Sequence, residues 1–136
     1  PEPRHAKVEN PVEWEIAFDT VGGDQQLLGD LLRVFVKDQG SLVDALSRAL
    51  TANDSKEVRL GAHSLRSALG HLGVSEAARL AGKMEDIATK ETERAEASGS
   101  QANVDLSEAR RLFGDFKNVI DLAVIEIKKF LAGGTR

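Results

Sequence analysis

The chain has 136 residues, 41% of them hydrophobic, which is enough for one compact domain with a substantial core and too little for two ordinary ones. It contains no cysteine, which excludes disulfides and thiolate metal sites, and its formal charge of −4, from 18 basic and 22 acidic residues interspersed along the chain, offers no long basic run for nucleic acid. No segment approaches the roughly 18 uninterrupted apolar residues of a membrane span, so a soluble, cytoplasmic protein is expected.

Residues 1–12 are polar rather than signal-like and read as a flexible leader or linker, ahead of a domain at 13–132 and a short tail at 133–136. Met84 is the only methionine, so either an initiator was removed ahead of Pro1 or, as is expected, the sequence is a piece of a longer protein. The three prolines stand at positions 1, 3 and 11, and nothing after them breaks a helix outright until Gly133-Gly134. Without sustained period-two alternation, the expected fold class is all-α.

A short first helix is expected from Glu13 to Phe18, ending before Val21-Gly22-Gly23. Asp24 offers an N-cap for a long helix to about Thr51, with Leu28, Leu31, Phe35, Leu42, Ala45 and Ala49 as its apolar series and a kink, notch or break at Asp38-Gln39-Gly40. Gly22-Gly23-Asp24 reads as a turn and cap, not a phosphate loop.

Asn53-Asp54 starts the next helix, with Glu57 completing a capping box and Val58, Ala62, Leu65, Leu69 and Leu72 forming one face. Gly73 closes it. Ser75 is expected to cap a third long helix that buries Ala77, Leu80, Ala81, Met84 and Ile87 and frays near Ser98-Gly99-Ser100. In the last helix, Asp105 and Glu108 suggest a capping box, and Leu106, Ala109, Phe113, Phe116, Ile120, Ala123, Ile127 and Phe130 alternate spacings of three and four. That stripe suits a coiled-coil dimer or a core; Leu112, Val119, Val124 and Leu131 widen it and favour the core. Four long amphipathic helices joined by short turns predict an antiparallel up-down four-helix bundle, with the short helix covering one end, and a monomer.

With about 100° of rotation per residue, His63 points roughly 140° from the centre of its helix's apolar stripe and is expected to be exposed. Arg66, Ser67 and Gly70 share its surface strip, and Arg59 lies one turn before it. An imidazole has an unprotonated ring nitrogen near neutral pH and is nucleophilic without a separate base. A guanidinium beside it can hold an incoming phosphoryl group by charge-assisted hydrogen bonds. A solvent-facing histidine on a helix is ordinary in isolation, and it is the neighbours of His63 that mark it. His71 lacks a cationic neighbour and reads as structural or incidental, and His5 reads as a solvated tail residue. The spacing of His63 and His71, with no Glu-x-x-His pair within the helices, gives a di-metal site no support.

The segment AHSLRSALGHLGVSEAARLAGKME, residues 62–85, resembles the signature of histidine phosphotransfer domains. Ala62-His63, Leu65, Gly73, Leu80, Met84 and Glu85 fall in register with it, and the family's four-helix bundle with an extra N-terminal helix covers residues 13–131. The resemblance implies that His63 accepts the phosphoryl group, that Arg66 takes the place of the family's lysine, and that Glu85 hydrogen-bonds the other ring nitrogen. A turn near Gly73-Val74 independently brings residue 63 level with residues near 85.

Two positions depart from the family pattern: Arg66 stands for lysine and Ser67 for glycine, the serine adding a side chain that can hydrogen-bond a phosphoryl group or obstruct docking. Arg59, Leu60, Gly70 and Lys83 are expected to line the docking rim. The implied partner is a receiver domain of a response regulator or of a hybrid histidine kinase, which would bring the magnesium; no cofactor is expected on this domain. The alternatives are an inactive scaffold that binds a receiver, and the phosphoacceptor domain of a chemotaxis-type kinase. Lacking any nucleotide-binding motif, the chain is expected to be a carrier and not an enzyme.

Overall fold

The computed structural model describes residues 10–133, and among these it contains five α-helices and no strand. They are α1 (Trp14–Thr20), α2 (Gln25–Thr51), α3 (Ser55–His71), α4 (Ser75–Ser98) and α5 (Ser107–Leu131). Residues 1–9, His5 among them, and 134–136 lie outside the described residues, so most of the expected leader and tail does too. At the leader's far end, however, Pro11 and Val12 are buried, so packing begins two residues before the expected domain start.

α1 starts one residue later than expected and continues through Asp19 and Thr20, because neither residue breaks a helix and the chain reverses only at Gly22 and Gly23, where φ is +63° and +84°. α2 follows with its N-cap as expected: the Asp24 side chain accepts a hydrogen bond from the Leu27 N–H at 3.0 Å.

No kink divides α2. Its buried series is Leu28, Leu32, Phe35, Val43, Leu46, Ala49 and Leu50, whereas Leu31 and Leu42 are 39% and 41% exposed and Ala45 is exposed too. The buried stripe runs through half-buried Gln39, and Leu31 and Leu42 lie about 100° from it around the helix.

α3 buries the whole expected face, Val58, Ala62, Leu65, Leu69 and Leu72. Half of its capping box forms: Asp54 accepts from the Glu57 N–H at 3.2 Å, but the Asp54 N–H is taken by the Ala49 carbonyl, leaving Glu57 nothing to bond there. The helix ends in a Schellman arrangement, with Val74 N–H on Leu69 O, Gly73 N–H on Gly70 O, and φ of +82° at Gly73.

That turn is also where α1 is fastened. Glu13 N–H donates to Gly73 O at 2.8 Å, and Thr20 Oγ1 donates to His71 O at 2.5 Å. Ser75, expected to cap α4, instead donates its hydroxyl to Glu13 Oε1, and Val74 occupies the cap position with no side-chain bond. On the other side of α1, Trp14 stacks on Phe130 at 4.7 Å and donates from Nε1 to Glu126 Oε2 at 2.7 Å, tying it to the end of α5.

α4 buries Ala77, Leu80, Ala81 and Met84 as expected, but Ile87 is only half-buried and Ala88 takes the core position. It stays regular to Ser98, where Gly99 adopts a left-handed cap, because Thr92 and Ala95 still face inward. α5 begins at Leu106 as cap residue with no capping box: Asp105 accepts from the Ser107 N–H and hydroxyl, and Glu108 pairs with Arg111. Its stripe is buried within the chain, against α4 and α2, with Phe113 and Phe130 half-buried at the margin. Each large buried side chain contributes roughly 1.5–3 kcal/mol.

The most extensive contact joins α3 to α4, and α2 completes the packing against α3 and α5. α3 and α4 run antiparallel, as two cross-helix bonds show: Thr92 Oγ1 donates to Ser55 Oγ at 2.9 Å near one end, and residues 63 and 85 meet further along.

Candidate functional site

His63 follows buried Ala62 and precedes buried Leu65 by two residues, so the helix turns its side chain outward, where it is 57% exposed. The antiparallel pairing sets Glu85 of α4 beside it, with only 18% of that side chain exposed. His63 Nδ1 lies 2.9 Å from Glu85 Oε2. Glu85 Oε1 forms an ion pair with Arg66 Nε at 2.8 Å, and Arg66 Nη2 comes within 3.2 Å of the same His63 Nδ1.

One ring nitrogen cannot both donate to a carboxylate and accept from a guanidinium. If Nδ1 carries the proton it donates to Glu85 and leaves the Nε2 lone pair unprotonated; if Nδ1 accepts from Arg66, the proton moves to Nε2 and that lone pair is lost. The carboxylate is nearer and bears full charge, while Arg66 is already engaged by its other oxygen. The first tautomer is therefore favoured.

Each remaining candidate residue has a definite place. Ser67 is exposed one turn beyond His63. Nothing approaches within 4 Å of where a Cβ on Gly70 would stand, so the surface there is open. Leu60 is 51% exposed, Arg59 is half-buried on the His63 side, and Lys83 is exposed on α4. Its charge acts on Glu76 and, on α5, Glu108, which are held below the ordinary carboxylate value chiefly by hydrogen bonds from Arg79 and Arg111, with Lys83 contributing at both. His71 is exposed at the end of α3, where its backbone carbonyl receives the Thr20 hydroxyl.

One residue of the site was not foreseen from the sequence. Gly82 stands on α4 one turn before Glu85, and a Cβ built there would lie 3.1 Å from Arg66 Cδ. The arginine stem thus crosses the bare glycine on its way to Glu85. A glycine inside a helix costs roughly 1 kcal/mol relative to alanine, and that interruption of α4 was the signal available in the sequence.

Among the described residues, no helix is long and apolar enough to cross a membrane. The family model described as Hpt domain matches residues 30–126, which include every residue placed in this site. No curated protein and no solved structure matches the chain.

Proposed function

Because this chain belongs to the Hpt domain family, whose members carry phosphoryl groups on histidine in phosphorelays, we propose that it accepts a phosphoryl group on His63 and exchanges it with the aspartate of a receiver domain. The receiver belongs to a response regulator or to a hybrid histidine kinase. In this reading the carrier unit spans 13–132 as an antiparallel up-down four-helix bundle with α1 over one end, and it works as a cytoplasmic monomer without kinase activity of its own.

The observation that carries the reading is the outward ring of His63 with Glu85 on Nδ1 and Arg66 beside it. The Nε2 lone pair attacks the phosphorus of the receiver's aspartyl phosphate. The bond from phosphorus to the acyl oxygen breaks, its electron pair leaves on the aspartate carboxylate, and an Nε2–P bond forms. Nδ1 keeps its proton throughout, so the ring gains positive charge, which the Glu85 carboxylate opposite Nδ1 stabilises. In the reverse direction the aspartate attacks and the imidazole leaves.

Arg66 contributes charge to the equatorial oxygens, and the Ser67 hydroxyl is within reach of the same group. Leu60, Arg59, Gly70 and Lys83 form the rim on which the receiver docks. Magnesium, which we assign to the receiver, would supply further charge neutralisation when bound there.

The test is incubation with phosphorylated receivers, following acid-labile, base-stable label on the protein. Label is expected on the wild type and absent from His63→Gln. Label persisting in His63→Gln would remove His63 as the sole acceptor, and receiver binding that survives without any phosphohistidine in the wild type would favour a scaffold.

A further inference from the structure

The geometry points to Gly82 as a positioning residue for the phosphoacceptor site, acting through Arg66. The juxtaposition is specific. α4 runs antiparallel to α3, so the stretch of α4 opposite Arg66 is the turn before Glu85, and the residue there has no side chain. A Cβ on Gly82 would meet Arg66 Cδ at 3.1 Å, closer than ordinary van der Waals contact, and would meet nothing else within 4 Å. Gly82 is not among the residues with positive φ, so its backbone is open to any amino acid. What the glycine provides is therefore room for one side chain, rather than a backbone conformation or close helix packing.

That side chain has two engagements that depend on where its stem lies, Nε on Glu85 Oε1 at 2.8 Å and Nη2 near His63 Nδ1 at 3.2 Å. Arg66 is about half exposed, so a stem lifted off α4 has solvent to move into. Lifting it frees Glu85 Oε1, and the carboxylate is then no longer held with Oε2 on the ring. The populations of the two His63 tautomers shift, and with them the fraction of molecules whose Nε2 lone pair is available. The consequence for phosphoryl transfer rests on the function proposed above; the consequence for the imidazole does not.

The experiment compares Gly82→Ala and Gly82→Val with wild type, each also in an Arg66→Ala background. The first readout is the ¹⁵N shifts of the His63 ring in the unphosphorylated protein. The second is the rate of phosphohistidine formation from a phosphorylated receiver. In the Arg66 background, both Gly82 variants are expected to move the ring shifts toward the Nε2–H tautomer, valine more than alanine, and to slow phosphorylation about threefold to tenfold, the worth of one positioned hydrogen bond. Gly82→Ala is expected to keep or raise the melting temperature, because alanine favours helix.

In the Arg66→Ala background neither Gly82 variant should change either readout. Equal effects in both backgrounds, or unchanged ring shifts in Gly82→Val, would overturn the proposal. If wild type takes no phosphate from any receiver, the phosphocarrier reading fails while the ring shifts still decide the role of Gly82.

Discussion

Glu85 reaches across from α4 to place one carboxylate oxygen 2.9 Å from His63 Nδ1 on α3, so the ring is anchored on one helix and oriented by another. The orientation of the imidazole is thereby a property of the α3–α4 contact and not of α3 alone.

Replacing Glu85 tests that orientation directly. Glu85→Ala removes the acceptor for Nδ1–H and leaves Arg66 without its ion-pair partner, and phosphorylation of His63 is expected to slow about 10- to 100-fold, as for loss of a hydrogen bond to a charged group. Glu85→Gln keeps an acceptor oxygen and should recover much of the loss. Rapid-quench phosphotransfer assays measure both; an alanine variant as fast as wild type would contradict the orienting role.

Leu60, 51% exposed on the rim, is expected to contribute to docking and not to folding. Leu60→Glu should weaken receiver binding about 10-fold with an unchanged urea midpoint, as expected for a charge buried at a small transient interface. Titration by isothermal calorimetry, paired with denaturation, separates the two effects.

Gly73 carries φ of +82°, and a Cβ there would stand 2.3 Å from the Glu13 carbonyl oxygen. Gly73→Ala is expected to cost about 2–4 kcal/mol, since left-handed backbone strain adds to a clash with main chain that cannot swing aside. Trp14 is the only tryptophan and sits on the helix this turn holds. Its fluorescence should shift to the red if α1 lifts, and chemical denaturation gives the stability change.

Acid should weaken the fold in part through Asp105. Its folded value is lowered from 3.8, first by the Ser107 hydroxyl and then by the Ser107 N–H. A depressed carboxylate stabilises fully above its unfolded value, and that contribution disappears as pH falls through the lower folded value. Asp105→Asn is therefore expected to show a shallower loss of stability below pH 3.8 than wild type, read from denaturation at stepped pH. Because neutral hydrogen bonds from Ser107 lead the shift, ahead of the Arg110 and Arg94 charges, most of the difference should persist in high salt.

What could be read from the sequence followed from where apolar residues stand alone. Val58, Ala62, Leu65, Leu69 and Leu72 have no rival stripe, so the face of α3, and with it the exposure of His63, was determined before any packing was known. In α2, Leu31 and Leu32, and again Leu42 and Val43, are adjacent apolar pairs; only the neighbouring helices decide which member of each turns inward. Caps failed for a related reason. Ser75 and Asp105 have capping chemistry, but a helix start displaced by one residue, or a competing partner such as Glu13, redirects it. Glu85 was reachable because a tight turn fixes which residues of two helices stand level. Gly82 was not, since its importance lies in the path of an arginine stem on another helix, which no local pattern encodes.

On the function proposed above, the outward ring of His63 would also set how long cargo is kept. With 57% of that side chain open to solvent, a phosphoryl group carried there would meet bulk water. Its dwell time would then be governed by the intrinsic lability of the nitrogen–phosphorus linkage and by how soon the next protein arrives, which would make the chain a courier rather than a reservoir.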